Sequence, residues 1–290
     1  MQEGNHTKIE NELTQIADML VLNGTLTECP GLINGKMGIS IFFFYYSRHT
    51  SNELFADYAM DLLGEIFNQI HLNSPSDFEK GIAGIGVGIN HLIKNGFIKQ
   101  EDNIFEDLDQ RMERAIKYDP WENFSQYNGL TGYGQYWITR LNDKEALEKP
   151  LDCLIQIINL IEENLKEIPL TEQMEVFCFL QDLQKTKINN RLASILKQCQ
   201  NKWNFQLLDI TTSFCRLGNS TVGKMIRTYK YNNCFNLLFH NEFIFNSKLL
   251  LSLNLEEAPT SMGLLSGYAG EGMMRLAVVD KINLSWVNLM

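Results

Sequence analysis

The residues of this 290-residue chain best suited to chemistry lie in its last third, where cysteine and histidine come nearest to one another. Cys215 is followed by Arg216, whose fixed positive charge would favour the thiolate and make Cys215 a better nucleophile or metal ligand. His240, in Leu238-Phe239-His240-Asn241, is the only histidine after His91. Cys215, Cys234 and His240 together would supply three protein ligands, the number a catalytic zinc takes when its fourth position stays open. The simpler account is that Cys215 is a small buried residue and His240 an ordinary hydrogen-bonded histidine. The six cysteines, at 29, 153, 178, 199, 215 and 234, include no C-x-x-C pair, and the simpler account is the one the sequence favours. Zinc is possible on this count and not expected.

Other chemistry is weaker still. Gly81–Gly88 has the look of a nucleotide loop, but no strand precedes it and the G-x-G-x-x-G spacing is broken. Glu79, Glu122 and Glu271 are the carboxylates placed near helix starts, and nothing in the sequence pairs them for glycoside hydrolysis.

The elements that would position these residues are organised around a glycine motif that recurs. Pro30-Gly31-Leu32-Ile33-Asn34-Gly35-Lys36-Met37-Gly38-Ile39 is followed by Gly81-Ile82-Ala83-Gly84-Ile85-Gly86-Val87-Gly88 and by Gly129-Leu130-Thr131-Gly132-Tyr133-Gly134. The last copy is Gly263-Leu264-Leu265-Ser266-Gly267-Tyr268-Ala269-Gly270-Glu271-Gly272. Counted from the first glycine of each, the copies begin 50 and then 48 residues apart, which is one helical hairpin per period. At 100° per residue Gly31, Gly35 and Gly38 share one face of a helix, so the expectation is that Gly31 opens the helix and that a glycine stripe lets helices crowd round an axis.

Each glycine segment runs into an apolar helix, and each of those is followed by an amphipathic one. Residues 8–22 make a first amphipathic helix. Ile39–Tyr46 is apolar nearly all round and should be buried, with its aromatic run as core. Ser51-Asn52-Glu53 caps a third helix with Leu54, Tyr58, Leu62 and Ile66 as its apolar stripe. Ile82–Ile93 and Leu130–Leu141 continue the inner series, and Ile104–Tyr118 and Lys144–Leu165 the outer, with Pro150 as an interruption. Met174–Leu183 is an inner helix without glycines, and Asn190–Cys199 is its partner. Gly218–Gly223, Cys234–Leu253 and Leu264–Val279 complete the series. Without alternating-polarity segments the fold class is all-α. An inner and an outer set of helices suggests an (α/α) barrel, with an open solenoid as the competitor; buried first and last repeats favour closure.

Composition narrows the partners. Thirty-five acidic against 25 basic residues give a net charge of −10 with no basic run, which argues against nucleic acid and anionic membrane surfaces. No apolar run reaches the length of a membrane span. The first residues do not have the layout of a signal peptide, so the expected location is cytoplasmic.

Gly-Leu-x-x-Gly-x-x-Gly-Ile followed by an apolar aromatic helix resembles the opening repeat of the lanthionine synthetase C-like (LanC-like) family. The closing Gly-Leu-Leu-Ser-Gly-Tyr-Ala-Gly-Glu-Gly is similar to that family's last repeat, and the resemblance runs from Gly31 to about Leu276. It implies a toroid made of an inner and an outer ring of helices, usually seven hairpins, forming a single domain over residues 1–290. It also implies a zinc ion at the mouth and a peptide substrate or precursor peptide as partner. There a cysteine thiolate, stabilised by zinc, adds to a dehydrated serine or threonine and a positioned acid protonates the enolate.

The residues that would do this are not matched. The family's ligands are a Cys in one late repeat and a Cys-His pair in the next, and this chain has no Cys-His dipeptide. Phe214-Cys215-Arg216-Leu217-Gly218 is the nearest segment, with Arg216 where the paired His would stand. The place of the family's third-repeat acid falls on Ser125, and its fourth-repeat His has no counterpart between Thr171 and Leu183. The 134 residues from Gly129 to Gly263 leave room for about three periods, hence about six hairpins. The resemblance thus implies a degenerate, peptide-binding member, with Ser125, Cys215, Arg216 and His240 as binding residues. The alternatives are an active peptide cyclase with a rebuilt Cys215–Cys234–His240 site, and an (α/α)-toroid carbohydrate-active enzyme.

Overall fold

A computed structural model describes residues 2–100, 104–119, 121–141, 147–186, 191–203, 261–265, 267–280 and 284–289. Every described element is helical: α1 (Gln2–Gly24), α2 (Lys36–Thr50), α3 (Glu53–Gln69), α4 (Ile82–Lys94), α5 (Glu106–Lys117), α6 (Leu130–Arg140), α7 (Glu148–Asn164), α8 (Leu170–Lys185), α9 (Leu192–Lys202), α10 (Tyr268–Val279) and a 3₁₀ turn at Leu284–Leu289. The all-α class is therefore as expected. The described residues fall into two compact units, one of residues 2–71, 91–98 and 261 onward, the other of residues 72–90 and 99–203. The segments Gly218–Gly223 and Cys234–Leu253 lie outside the described residues.

Apolar-all-round helices are buried and amphipathic ones half-exposed, as their patterns require. In the first unit α2 is buried from Lys36 to Ser47, while α3 buries only Ala59, Leu62, Leu63 and Ile66. Phe42 and Phe43 are wholly buried, so the aromatic run is core. Asn52 caps α3 by accepting the Leu54 N–H at 3.1 Å, but Leu54 itself is 72% exposed and drops out of the expected stripe. In the second unit α6 packs on α7 and α8, and α5 is pinned to α6 by Asp109. That carboxylate accepts the Tyr136 hydroxyl and the Arg140 guanidinium at 3.0 Å, and Arg140 also lies over the Phe105 ring. Pro150 does not interrupt α7. It occupies the first turn, where a missing N–H leaves no bond unmade.

The glycine motif needs correction. Gly31 does not open a helix: the chain turns through 31–35 and α2 begins at Lys36, with Gly35 extended at the N-cap. Gly129 and Gly267 cap α6 and α10 in the same conformation, and Gly81 directly precedes α4. The true equivalents are thus Gly35, Gly81, Gly129 and Gly267, spaced 46, 48 and 138 residues apart, the last being three times the first.

Loop-to-helix contact, not a shared helix axis, explains the first two glycines of each copy. In all four repeats the amide one residue after the cap donates to the carbonyl six residues before it: Lys36 to Cys29, Ile82 to Pro75, Leu130 to Asn123 and Tyr268 to Ser261. The loop therefore folds over the helix start, and a Cβ on the cap residue would lie 2.2–2.4 Å from that same carbonyl oxygen. Three residues on, Gly38, Gly132 and Gly270 meet a second loop carbonyl at 2.0–2.5 Å. Only glycine permits so close a backbone approach.

The third glycine has another use. A Cβ at Gly86 would strike the Tyr136 ring, one at Gly134 the Phe179 ring and one at Gly272 the Phe42 ring, each at 2.3 Å. In every case the socket stands five residues after its cap, and Tyr136 and Phe42 stand seven residues after theirs. Each socket glycine receives an aromatic knob from the following repeat. The last socket takes its knob from the first repeat, and the Leu264 amide donates to the Ile33 carbonyl at 2.7 Å. In an open row of hairpins the first and last glycine helices would stand at opposite ends; here they are neighbours.

Candidate functional site

The loops that precede the glycine-capped helices carry polar side chains, several of them buried, such as Ser74, Ser76 and Gln126. In the second unit the loop 121–129 carries Ser125, four residues before the Gly129 cap. Ser125 donates its hydroxyl to Asn123 Oδ1 at 2.7 Å, and the Asn128 amide donates to Ser125 Oγ at 3.3 Å. The equivalent residue of the preceding repeat is Asp77, whose Oδ1 accepts the Lys80 amide at 2.7 Å. Both side chains brace the same turn, from the same position, onto the residue before the cap. Burial is the main cause that raises the Asp77 carboxyl above its ordinary range; the Lys80 amide works against it.

The fourth repeat replaces the loop clasp with carboxylates. Between the second and third repeats the Phe78 and Glu79 amides donate to the Tyr127 carbonyl at 2.9 and 3.1 Å. Between the third and fourth, Glu172 accepts the Phe124 amide at 2.8 Å and Glu175 the Gln126 amide at 2.5 Å. Glu172 is seven residues before the knob Phe179, and Glu175 three residues later, so they stand where other repeats have their cap and second glycines. A helix that begins with two glutamates holds its neighbour through side chains and has no use for the glycines. The sequence showed that the glycines were gone but did not disclose what replaced them.

The buried ionisable groups of the first unit are held by partners. Lys36, buried in the first turn of α2, is ion-paired with Glu65 of α3. Arg275, 1% exposed, bonds Glu12 of α1 through Nε at 2.7 Å and also pairs with Glu271. Glu271 is thus a buried structural partner. His91 lies 3.0 Å from the Tyr45 hydroxyl through Nε2, and burial, helped by Lys94, pushes it down to about 4, so its ring is neutral at pH 7.

The described residues do not fit a zinc ion. Among them no three His, Cys, Asp or Glu side chains come together as a metal would need. Cys153, Cys178 and Cys199 are buried, and burial pushes the Cys153 and Cys199 thiols up to about 12, the opposite of what a ligand thiolate requires. Of the sequence-predicted site residues, Ser125 is placed as above; Cys215, Arg216 and His240, with Cys234, lie outside the described residues.

Among the described residues every element is helical and a glycine loop folds over the starts of α2, α4, α6 and α10, which is consistent with the helical fold of the LanC-like class. A sequence model of the family described as lanthionine synthetase C-like protein matches residues 28–194, more than half of the chain. The chain belongs to the LanC-like family. No curated protein matches it. Among the described residues no helix is long and apolar enough to cross a membrane.

One consequence is testable at Ser125. Ser125→Ala removes both of its side-chain hydrogen bonds and is expected to lower stability by about 1 kcal/mol. Ser125→Asp, which reproduces Asp77, is expected to keep the bond accepted from the Asn128 amide, but not the one donated to Asn123, and so to lose less than the alanine variant. Denaturant melts of the two variants decide; a Ser125→Ala protein as stable as the wild type would show that the brace contributes nothing.

Proposed function

We propose that the chain is a degenerate LanC-like protein of a ribosomal-peptide modification system, which binds a peptide without zinc-dependent cyclisation. Residues 1–290 act as one domain, in the cytoplasm, and Ser125, Cys215, Arg216 and His240 contribute to the peptide site. The observation that carries this reading is Ser125: the residue in the place of the family's acid is a hydroxyl, a far weaker proton donor near neutral pH than a positioned carboxylic acid or imidazolium, and it is hydrogen-bonded within its own turn. The fourth-repeat helix supports it, since its start is given over to Glu172 and Glu175 bonded to backbone amides.

Metal analysis of the full-length protein, purified without added zinc and dialysed against a chelator, is expected to find far less than one zinc per chain. A synthetic peptide carrying one cysteine and one dehydroalanine is expected to bind and to leave uncyclised, with its thiol still titratable. Stoichiometric retained zinc, lost on His240→Ala, together with thiol consumption would establish instead the cyclase with a rebuilt Cys215–Cys234–His240 site.

A further inference from the structure

His49 sits in the last turn of α2 with both ring nitrogens against carboxylates. Nδ1 is 2.7 Å from Asp280 Oδ2, at the C-cap of α10, and Nε2 is 2.9 Å from Glu10 Oε2 of α1. The side chain is 10% exposed. A neutral imidazole has one N–H and can serve only one of these acceptors, setting its second nitrogen's lone pair against the other carboxylate. The geometry is therefore that of an imidazolium.

The other charged and titratable groups around it do not replace that charge. On α1, Glu10 is also approached by His6 at 3.6 Å, and Glu12 is taken up by Arg275. On its own helix the Tyr46 ring lies 6.2 Å away, and Arg48 turns to the Asn95 carbonyl and the Phe97 ring. On α10, Asp280 has His49 as its ion-pair partner among the described residues. Without the ring proton, Glu10 and Asp280 face each other across a neutral ring.

We propose that His49 is a proton-operated clasp that holds the N-terminal half of α1 against α2 and α10 when charged and lets it loosen when neutral. Burial works against the charged ring, but the hydrogen bonds it donates to Glu10 and Asp280 and the charges of the two carboxylates outweigh it, raising His49 above 6.5. A raised value means that the clasp's stabilisation is complete below about 6.5 and is lost as pH rises through the higher folded value.

Hydrogen exchange of the full chain, corrected for the intrinsic pH effect and read on peptides covering residues 6–16, tests this between about pH 6 and about pH 9. Wild-type protection is expected to fall several-fold over that range as the ring gives up its proton. His49→Gln should show the low level throughout, and His49→Arg, permanently charged, should flatten the dependence at the high level. Proton NMR titration of the His49 ring in the wild type should give a midpoint above 6.5, which does not depend on any variant folding. Protection that is flat with pH in the wild type, or a ring midpoint at or below 6.5, overturns the proposal.

Discussion

Gly132→Ala will destabilise the protein by about 3 kcal/mol or more, a single methyl group producing a loss at the upper end of what overpacking causes. The added Cβ would stand 2.0 Å from the Gln126 carbonyl oxygen and 2.8 Å from the Phe78 Cβ. Neither neighbour can retreat. The Gln126 amide is held by Glu175 at 2.5 Å, and Phe78 is 1% exposed with its amide on the Tyr127 carbonyl at 2.9 Å. The built-in control is Gly64→Ala on α3, where an added Cβ meets nothing within 4 Å. In an exposed helix interior the same change should stabilise, by up to about 1 kcal/mol. Thermal melts of the two variants side by side are the measurement. If Gly132→Ala melts with the wild type, the folded-over loop is not as tight as described.

Arg275→Met is the second large effect, a loss of about 3–5 kcal/mol. The methionine fills most of the volume, so the loss is electrostatic. It takes their shared cation from Glu271, 2% exposed, and Glu12, 9% exposed, with Lys8 still 3.8 Å from Glu12. Because stranded carboxylates recover by taking up protons, the deficit should shrink as pH is lowered from about 7 toward about 5. Converting Glu12 and Glu271 to methionine as well should restore much of the lost stability, since a buried ionic cluster replaced whole is often neutral. Denaturant midpoints of the single and triple variants at both pH values check this. A single variant within about 1 kcal/mol of wild type at neutral pH would mean that solvent already reaches the pair.

Much of the architecture could be read from the residues because it rests on periodicity. Phe42–Tyr46 is apolar on every face and is core; of the expected stripe Leu54, Tyr58, Leu62 and Ile66, the last two are buried in α3, together with Ala59 and Leu63. What misled was Gly31. Its spacing to Gly35 and Gly38 fits a helical face as well as it fits a loop doubling back on a helix start, and only the bonds from residues 36, 82, 130 and 268 to the carbonyls six before each cap decide between them. That misreading displaced the first copy by four residues. The ionic clasps were invisible for a different reason. Glu10, His49 and Asp280 lie up to 270 residues apart in sequence, and no local pattern announces a contact between the body of one helix and the ends of two others. Ser125 was found by likeness to a family position, yet its meaning came from Asp77, which performs the same turn brace one repeat earlier.

Phe42 entering the notch at Gly272 has a consequence for how the chain is born. A nascent chain emerges from its N-terminus, so the ring at position 42 leaves the ribosome some 230 residues ahead of the notch that receives it. Through most of translation that greasy side chain has no native seat, and the first hairpin must wait, half-finished, for the last. Moving the termini by circular permutation, so that both partners are translated early, should spare the growing chain that wait and reduce its need for chaperone cover.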